Sequence, residues 1–236
     1  MIKTMKKSAF GIASLVRRLR SDVSGLALIE FGYSLPLLLG LSGYGLELAN
    51  LANANMRISQ AANALADNVS RVGLESALAK TQLRESDIND GLIGVTRQSG
   101  TMDVGTRGRV IISSLERNVD GGQWIRWQRC VGMRNYASSF GVAGDGATGT
   151  SFPGMGPATA RVTAPDSESA VMFVEIIYDY RPIFSEIYIS NRQIRFHASY
   201  IVRDKRDLTA NGGTGITNPV STPAAVAHTC DRFTAT

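Results

Sequence analysis

The chain is 236 residues long, with 25 basic and 20 acidic side chains, a net charge of +5 and a pI near 9.4. Six basic residues (Lys3, Lys6, Lys7, Arg17, Arg18 and Arg20) and one acid, Asp22, lie in the first 25 positions, so the rest of the chain holds 19 of each sign. The basic excess belongs to the amino-terminal segment alone, which removes the nucleic-acid partner that a basic chain would otherwise suggest.

An apolar run follows this segment. Residues 23–46 are 24 positions in which Glu30 is the only charge. A spanning helix needs about 20 predominantly apolar residues. Residues 31–46 supply 16 uncharged positions, so the span is expected to include residues on both sides of Glu30. Glycines and Pro36 are compatible with this, because membrane helices tolerate them better than soluble ones. Basic flanks stay on the cytoplasmic side. The amino terminus is therefore expected in the cytoplasm, and the chain beyond about residue 50 on the far side of the inner membrane.

The order of features differs from a secretory signal, whose small-residue cleavage site follows its apolar stretch. Here the pair Ser24-Gly25 precedes the run. A cut after Gly25 would remove the basic leader, keep the whole span, and make Leu26 the first residue and Glu30 the fifth. The text GLALIEF resembles the processing site of type IV prepilins, a glycine followed after four mostly apolar residues by glutamate. The longer text EFGYSLPLLLGLSGYGLELA is similar to the TadE-like family of Tad (Flp-type) pilus pseudopilins. That family has an E-F or E-Y pair, a proline some six residues on, an apolar run, and a glycine-then-glutamate at its end.

The resemblance covers residues 24–72 well and a β-rich second half more loosely. It implies that a prepilin peptidase cuts between Gly25 and Leu26. It implies that Glu30 and Phe31 are the family pair, Pro36 the helix proline and Glu47 the closing acid. Leu26 departs from the phenylalanine usual at the first position of type IV pilins, a position at which pseudopilins vary. A carboxylate at the centre of a spanning helix costs about 2.5–3.5 kcal/mol on insertion scales, and less near an end. The new α-amino group would be positive at neutral pH. The resemblance implies that the Leu26 amine of one subunit meets Glu30 of its neighbour and sets the register of an assembly.

Beyond the span the helical pattern continues. Leu51, Ile58, Leu65 and Val72 recur every seven residues, with Ala54, Ala61 and Val69 along the same seam. This is an amphipathic helix with a small-residue face. No proline interrupts it, and Gly73 is its expected stop. One helix over 26–72 would be about 70 Å long at 1.5 Å per residue. The text SDIND at 86–90 predicts an N-cap and a short helix through Val95.

The period then changes. Residues 109–118 and 123–131 flank Asp120-Gly121-Gly122 and predict a hairpin. Residues 170–180, ended by Pro182, and 193–203 predict two further strands. Ile194, Phe196, Ala198 and Tyr200 alternate as on a sheet with one packed and one wet face. Residues 136–166 and 208–236 are rich in small and polar residues and are expected to be loose, because they bury too little apolar surface to offset chain entropy.

Cys130 and Cys230 allow one intramolecular pairing, and an exported domain permits it. That disulfide is expected, and it would pin the tail to the hairpin. The histidines are His197 and His228, and no pair of ligands has zinc spacing. No catalytic residue, metal or cofactor is expected, and the chain is read as no enzyme. Gly144, Gly146 and Gly149 fit a phosphate-loop spacing, but the stretch neither follows a clear strand nor opens a helix. Trp124 and Trp127 are odd-spaced on a strand and are expected on opposite faces.

The fold class expected is α+β and pilin-like: a long amino-terminal helix, half in the membrane and half exported, packed on a small antiparallel sheet. The expected divisions are a cleaved leader (1–25), a transmembrane helix (26–48), its exported continuation (49–72), an α+β domain (73–207) and a tail (208–236). The expected function is a pseudopilin-like subunit of a Tad-type pilus. Its partners would be inner-membrane lipid, the prepilin peptidase, and other pilins and the pilus machinery. Two neighbouring readings stay open: an uncleaved single-span assembly factor, and a pseudopilin of a type II secretion system.

Overall fold

The computed structural model describes residues 6–73, 80–184, 186–190, 192–203, 205–209, 213–217 and 225–235, with the side chains of 6–13 and 24 left out. The chain divides into two units, Met1–Ala49 and Asn50–Thr236.

The first unit is helical. Helix α1, Lys6–Ser21, occupies most of the basic segment. The Ser21 hydroxyl bonds the Arg17 carbonyl at 3.0 Å, and the helix stops before Asp22 and Val23. Helix α2, Ser24–Arg71, then runs 48 residues through both units, with Pro36 inside it. It is long and apolar enough to cross a membrane.

The second unit is α+β. Its elements are the part of α2 from Asn50 onward, strand β1 (Leu83–Arg84), helix α3 (Glu85–Gln98), a short helix α4 (Val104–Arg107), and strands β2 (Gly108–Arg117), β3 (Gln123–Val131), β4 (Val171–Asp179), β5 (Gln193–Ile201) and β6 (Ile216–Thr217). The main sheet has four strands in the order β3-β2-β4-β5, all antiparallel, and β1 pairs in parallel with β6.

Helix α3 begins two residues earlier than the sequence suggested. Its N-cap is Arg84, not Ser86, because the Asp87 carboxylate reaches back to accept from the Arg84 main-chain N–H at 3.1 Å and from its guanidinium at 2.6 Å. At its far end α2 is closed by Arg206, whose guanidinium donates to the carbonyls of Val69 and Val72 at 3.0 and 2.8 Å. A cation there satisfies carbonyls that have no donor within the helix.

The larger core lies between the helices and one sheet face. Ile58, Ala62, Leu65, Ala66 and Val69 of α2 and Ile88 and Leu92 of α3 pack with Val110, Ile112, Met172, Val174 and Ile176. The α2–α3 approach is close: a Cβ on Gly91 would stand 3.2 Å from Leu65 Cδ1.

The alternation expected of β5 holds, with Ile194 and Ala198 buried and Gln193 and Arg195 exposed, but the central strands have no wet face. Phe140, Phe152, Met155, Val162 and Ala164, from the segment read as loose, cover Leu115, Ile125, Val171 and Phe173. Strands β2 and β4 are therefore buried on both faces along nearly their whole length. The 136–166 segment lacks regular strands or helices, but Phe140, Phe152, Met155 and Val162 pack on the sheet, while Val142 stays half exposed. Its glycines supply the turns: Gly146 has a φ of 76° and Gly154 one of 94°.

The carboxyl-terminal stretch is also anchored, over 225–235. Cys130 and Cys230 are joined by a disulfide, with Cα atoms 4.8 Å apart. The Cys130 and Gly132 N–H groups donate to the carbonyls of His228 and Thr234 at 2.7 and 2.6 Å, so this stretch lies along the outer edge of β3. Parts of the tail, 210–212 and 218–224, lie outside the described residues.

Candidate functional site: the amino-terminal helix

The residues singled out in the sequence cluster at the start of α2. Gly25 and Leu26 fall in its first turn, directly after the break at Asp22 and Val23. The Leu26 N–H donates to the Val23 carbonyl at 3.1 Å. A peptidase acting at Gly25 would need this turn opened. The first turn is the cheapest place for that, since its N–H groups lack the usual i−4 acceptors.

Glu30 stands one turn beyond Leu26, and both are exposed, Leu26 at 58%. Four residues in a helix return to the same face after a rise of about 6 Å. Phe31 is 60% exposed. Pro36 carries no N–H, so it leaves the Gly32 carbonyl without its usual donor. Glu47 is fully buried.

Between these residues the helix shows its apolar side chains outward. Leu28, Ile29, Leu37, Leu38, Leu39 and Leu41 are each more than half exposed. An added Cβ at Gly25, Gly32, Gly40 or Gly45 would meet nothing within 4 Å. An uncovered helix face of this kind is stable only in lipid or against other helices, since water around it is unfavourable. No family model, curated protein or solved structure matches the chain. The physical chemistry of the helix therefore carries the functional reading.

Other residues considered in the sequence have structural occupations. His197 lies opposite Glu175 in the β4–β5 register, and its ring stacks 5.7 Å from that of Phe173. Among the described residues no group of three His, Cys, Asp or Glu side chains is placed to hold a metal ion. In the glycine-rich stretch, the Gly146 and Gly149 carbonyls accept from Asn118 at 2.8 and 2.7 Å, and the Gly149 N–H donates to Asp120 at 2.7 Å. The N–H that a phosphate would need at Gly149 is taken by the hairpin turn.

The tryptophans depart from the expected two faces. Trp127 lies opposite Ser114 and Ile125 opposite Leu115, so Arg126 is an extra residue in β3. This bulge returns Trp124 and Trp127 to the same face. Trp127 is 6% exposed within the larger core. Arg126 lies 4.7 Å over the Trp124 ring and bonds Glu116 at 2.9 Å.

Buried ion pairs fix the domain. Arg129 of β3 makes a short bidentate contact with Glu85, which begins α3. Burial pushes the Glu116 carboxyl above the usual carboxylate range, against the pull of Ser114 and Arg126. Sequence reading missed these charges, because each partner lies far away in the chain or across a strand.

Proposed function

We propose that the chain is a pseudopilin-like subunit of a Tad-type pilus, inserted through α2 in the inner membrane and processed after Gly25 by a prepilin peptidase. The observation that carries this reading is the uncovered apolar half of α2, entered by a basic helix and a break, with Gly25, Leu26 and Glu30 in its first two turns. A helix with that surface must be covered by lipid or by other helices. Its second half carries an α+β domain, the arrangement a pilin-like subunit requires. Removing the leader would free a positive amine one turn from Glu30, on the same face of the helix. In an assembly that pair would lock neighbouring helices in register. The bond broken at Gly25 is the work of the peptidase, and the chain itself is read as no enzyme.

The test is the intact mass and amino-terminal sequence of the protein purified from native membranes. A chain beginning at Leu26 supports a processed pilus subunit. A chain beginning at Met1 in cells that hold the peptidase overturns it, and leaves an uncleaved single-span assembly factor as the better account.

A further inference from the structure

Helix α1 is two-sided over its last two turns. Leu15, Val16 and Leu19 share one face, since positions i, i+1 and i+4 lie within about 100° of one another around a helix. Arg17, Arg18 and Arg20 occupy the rest of the circumference. The three apolar side chains are 63%, 56% and 69% exposed. In the sequence, Ile12 stands three residues before Leu15 and seven before Leu19, which completes the i, i+3, i+4, i+7 spacing of an amphipathic helix. Water around such a face is unfavourable, so something covers it.

Charge and chain connectivity identify the cover. Residues 1–25 hold six basic side chains against one acid, Asp22. Such an excess is drawn to a surface of anionic lipid. Leu19 lies four residues before Val23, where the apolar run starts, so the chain keeps the two within about 14 Å of each other. With α2 spanning the membrane, Leu19 is thus within reach of the cytoplasmic headgroup layer at any angle between the two helices. Asp22 and Val23, between α1 and α2, are not helical. That break lets the chain turn from the membrane surface into the bilayer.

We propose that α1 lies along the anionic cytoplasmic face of the membrane, with Leu15, Val16 and Leu19 in the interface and Arg17, Arg18 and Arg20 toward lipid phosphates and water. An apolar face opposite a basic one is the composition of helices that bind in the plane of a bilayer. The leader is then a membrane contact in its own right, beyond the charge that orients the span. It holds Gly25 at the membrane surface, and a cut after Gly25 would part this contact from the span. The inference rests on the membrane-spanning reading of α2.

The test places a tryptophan reporter in the full chain, made in cells without prepilin peptidase so that residues 1–25 are kept, and reconstituted in vesicles of phosphatidylglycerol and dibrominated phosphatidylcholine. The variants are Leu19→Trp on the apolar face of α1, Ser14→Trp on the opposite face, and Leu38→Trp in the span, with the native protein's emission subtracted. The expected result is that Leu38→Trp and Leu19→Trp each lose about half of their added emission to the bromines, as interfacial burial requires, and Ser14→Trp much less. In vesicles of dibrominated phosphatidylcholine alone, quenching of Leu19→Trp should fall about twofold while that of Leu38→Trp stays, because the anionic attraction is gone. Quenching of Leu38→Trp with none of Leu19→Trp overturns the surface contact and leaves the span intact. Equal quenching of Leu19→Trp and Ser14→Trp overturns the assigned face, and equal quenching of Leu19→Trp in both lipids overturns the role of the arginines. A blue-shifted but unquenched Leu19→Trp means that protein covers the face, which also overturns the proposal. No quenching of Leu38→Trp would overturn the spanning reading itself.

Discussion

The guanidinium of Arg109 donates a 2.7 Å hydrogen bond to the main-chain carbonyl of Cys230, the residue whose sulfur is bonded to Cys130. The same side chain donates to the carbonyls of Gly132 and Arg232, both at 2.7 Å, and lies 4.5 Å over the Phe233 ring. It is 1% exposed. One buried cation thus gathers the carbonyls of the terminal stretch and of the end of β3.

Arg109→Ala should therefore destabilise the domain strongly. Hydrogen bonds from charged donors contribute about 1.5–3 kcal/mol each, and the carbonyls left behind would be buried without a donor. We expect a loss of about 3–5 kcal/mol, within the range of the larger single-site effects. Denaturant unfolding followed by tryptophan emission measures it. A change within about 0.5 kcal/mol would mean that water replaces the guanidinium at no cost.

Removing the disulfide with Cys130→Ala and Cys230→Ala releases a loop closed over a separation of 100 residues. Chain entropy sets an upper figure of about 4.7 kcal/mol for such a loop, and about 2–4 kcal/mol is usual. The disulfide and Arg109 hold the same stretch, so their losses should not add. Combining the three substitutions should cost less than the sum of the two separate effects. Full additivity in the double-mutant cycle would show that the two devices act independently.

Acid should loosen this stretch through His228. Burial first, and then the charge of Arg232, hold its imidazole below the ordinary value of about 6.5, with Glu85 pulling the other way. The unfolded chain therefore takes up the proton at higher pH than the folded one. The stability that the neutral ring contributes is fully present above about pH 6.5 and is lost as pH falls from there through the lowered folded value. His228→Gln should flatten the decline in denaturant midpoint between about pH 7 and about pH 5. Parallel curves for the two proteins would rule the histidine out as a cause.

Glu30→Ala tests the assembly role apart from the anchor. An acid near a helix end costs less than the about 2.5–3.5 kcal/mol charged at mid-membrane, so its loss should leave insertion unchanged. Cleavage after Gly25 is also expected to persist. What should fall is the amount of the chain recovered in sheared pili, compared with the amount in membranes. Normal recovery would dismiss the pairing of Glu30 with a neighbour's Leu26 amine.

Several features of this protein were legible in local sequence alone. The uncharged run of α2, the seven-residue recurrence from Leu51 to Leu65, and the strands beside Asp120-Gly121-Gly122 each show within a dozen positions. Side-chain period and turn chemistry are properties of neighbouring residues. The spacing of Gly25, Leu26 and Glu30 was legible for the same reason. Only the tertiary structure decided what covers the sheet, where the tail goes, and which charges meet. Phe140, Phe152 and Met155 are too sparse to show any period, yet they bury the second face of β2 and β4. One extra residue at Arg126 reversed the faces of the strand beyond it and brought Trp124 and Trp127 to one side. Asn50 and Tyr180 stand 130 positions apart, and their hydrogen bond ties the end of β4 to α2. Such pairings depend on which distant segments fold against each other, and no local pattern encodes that choice.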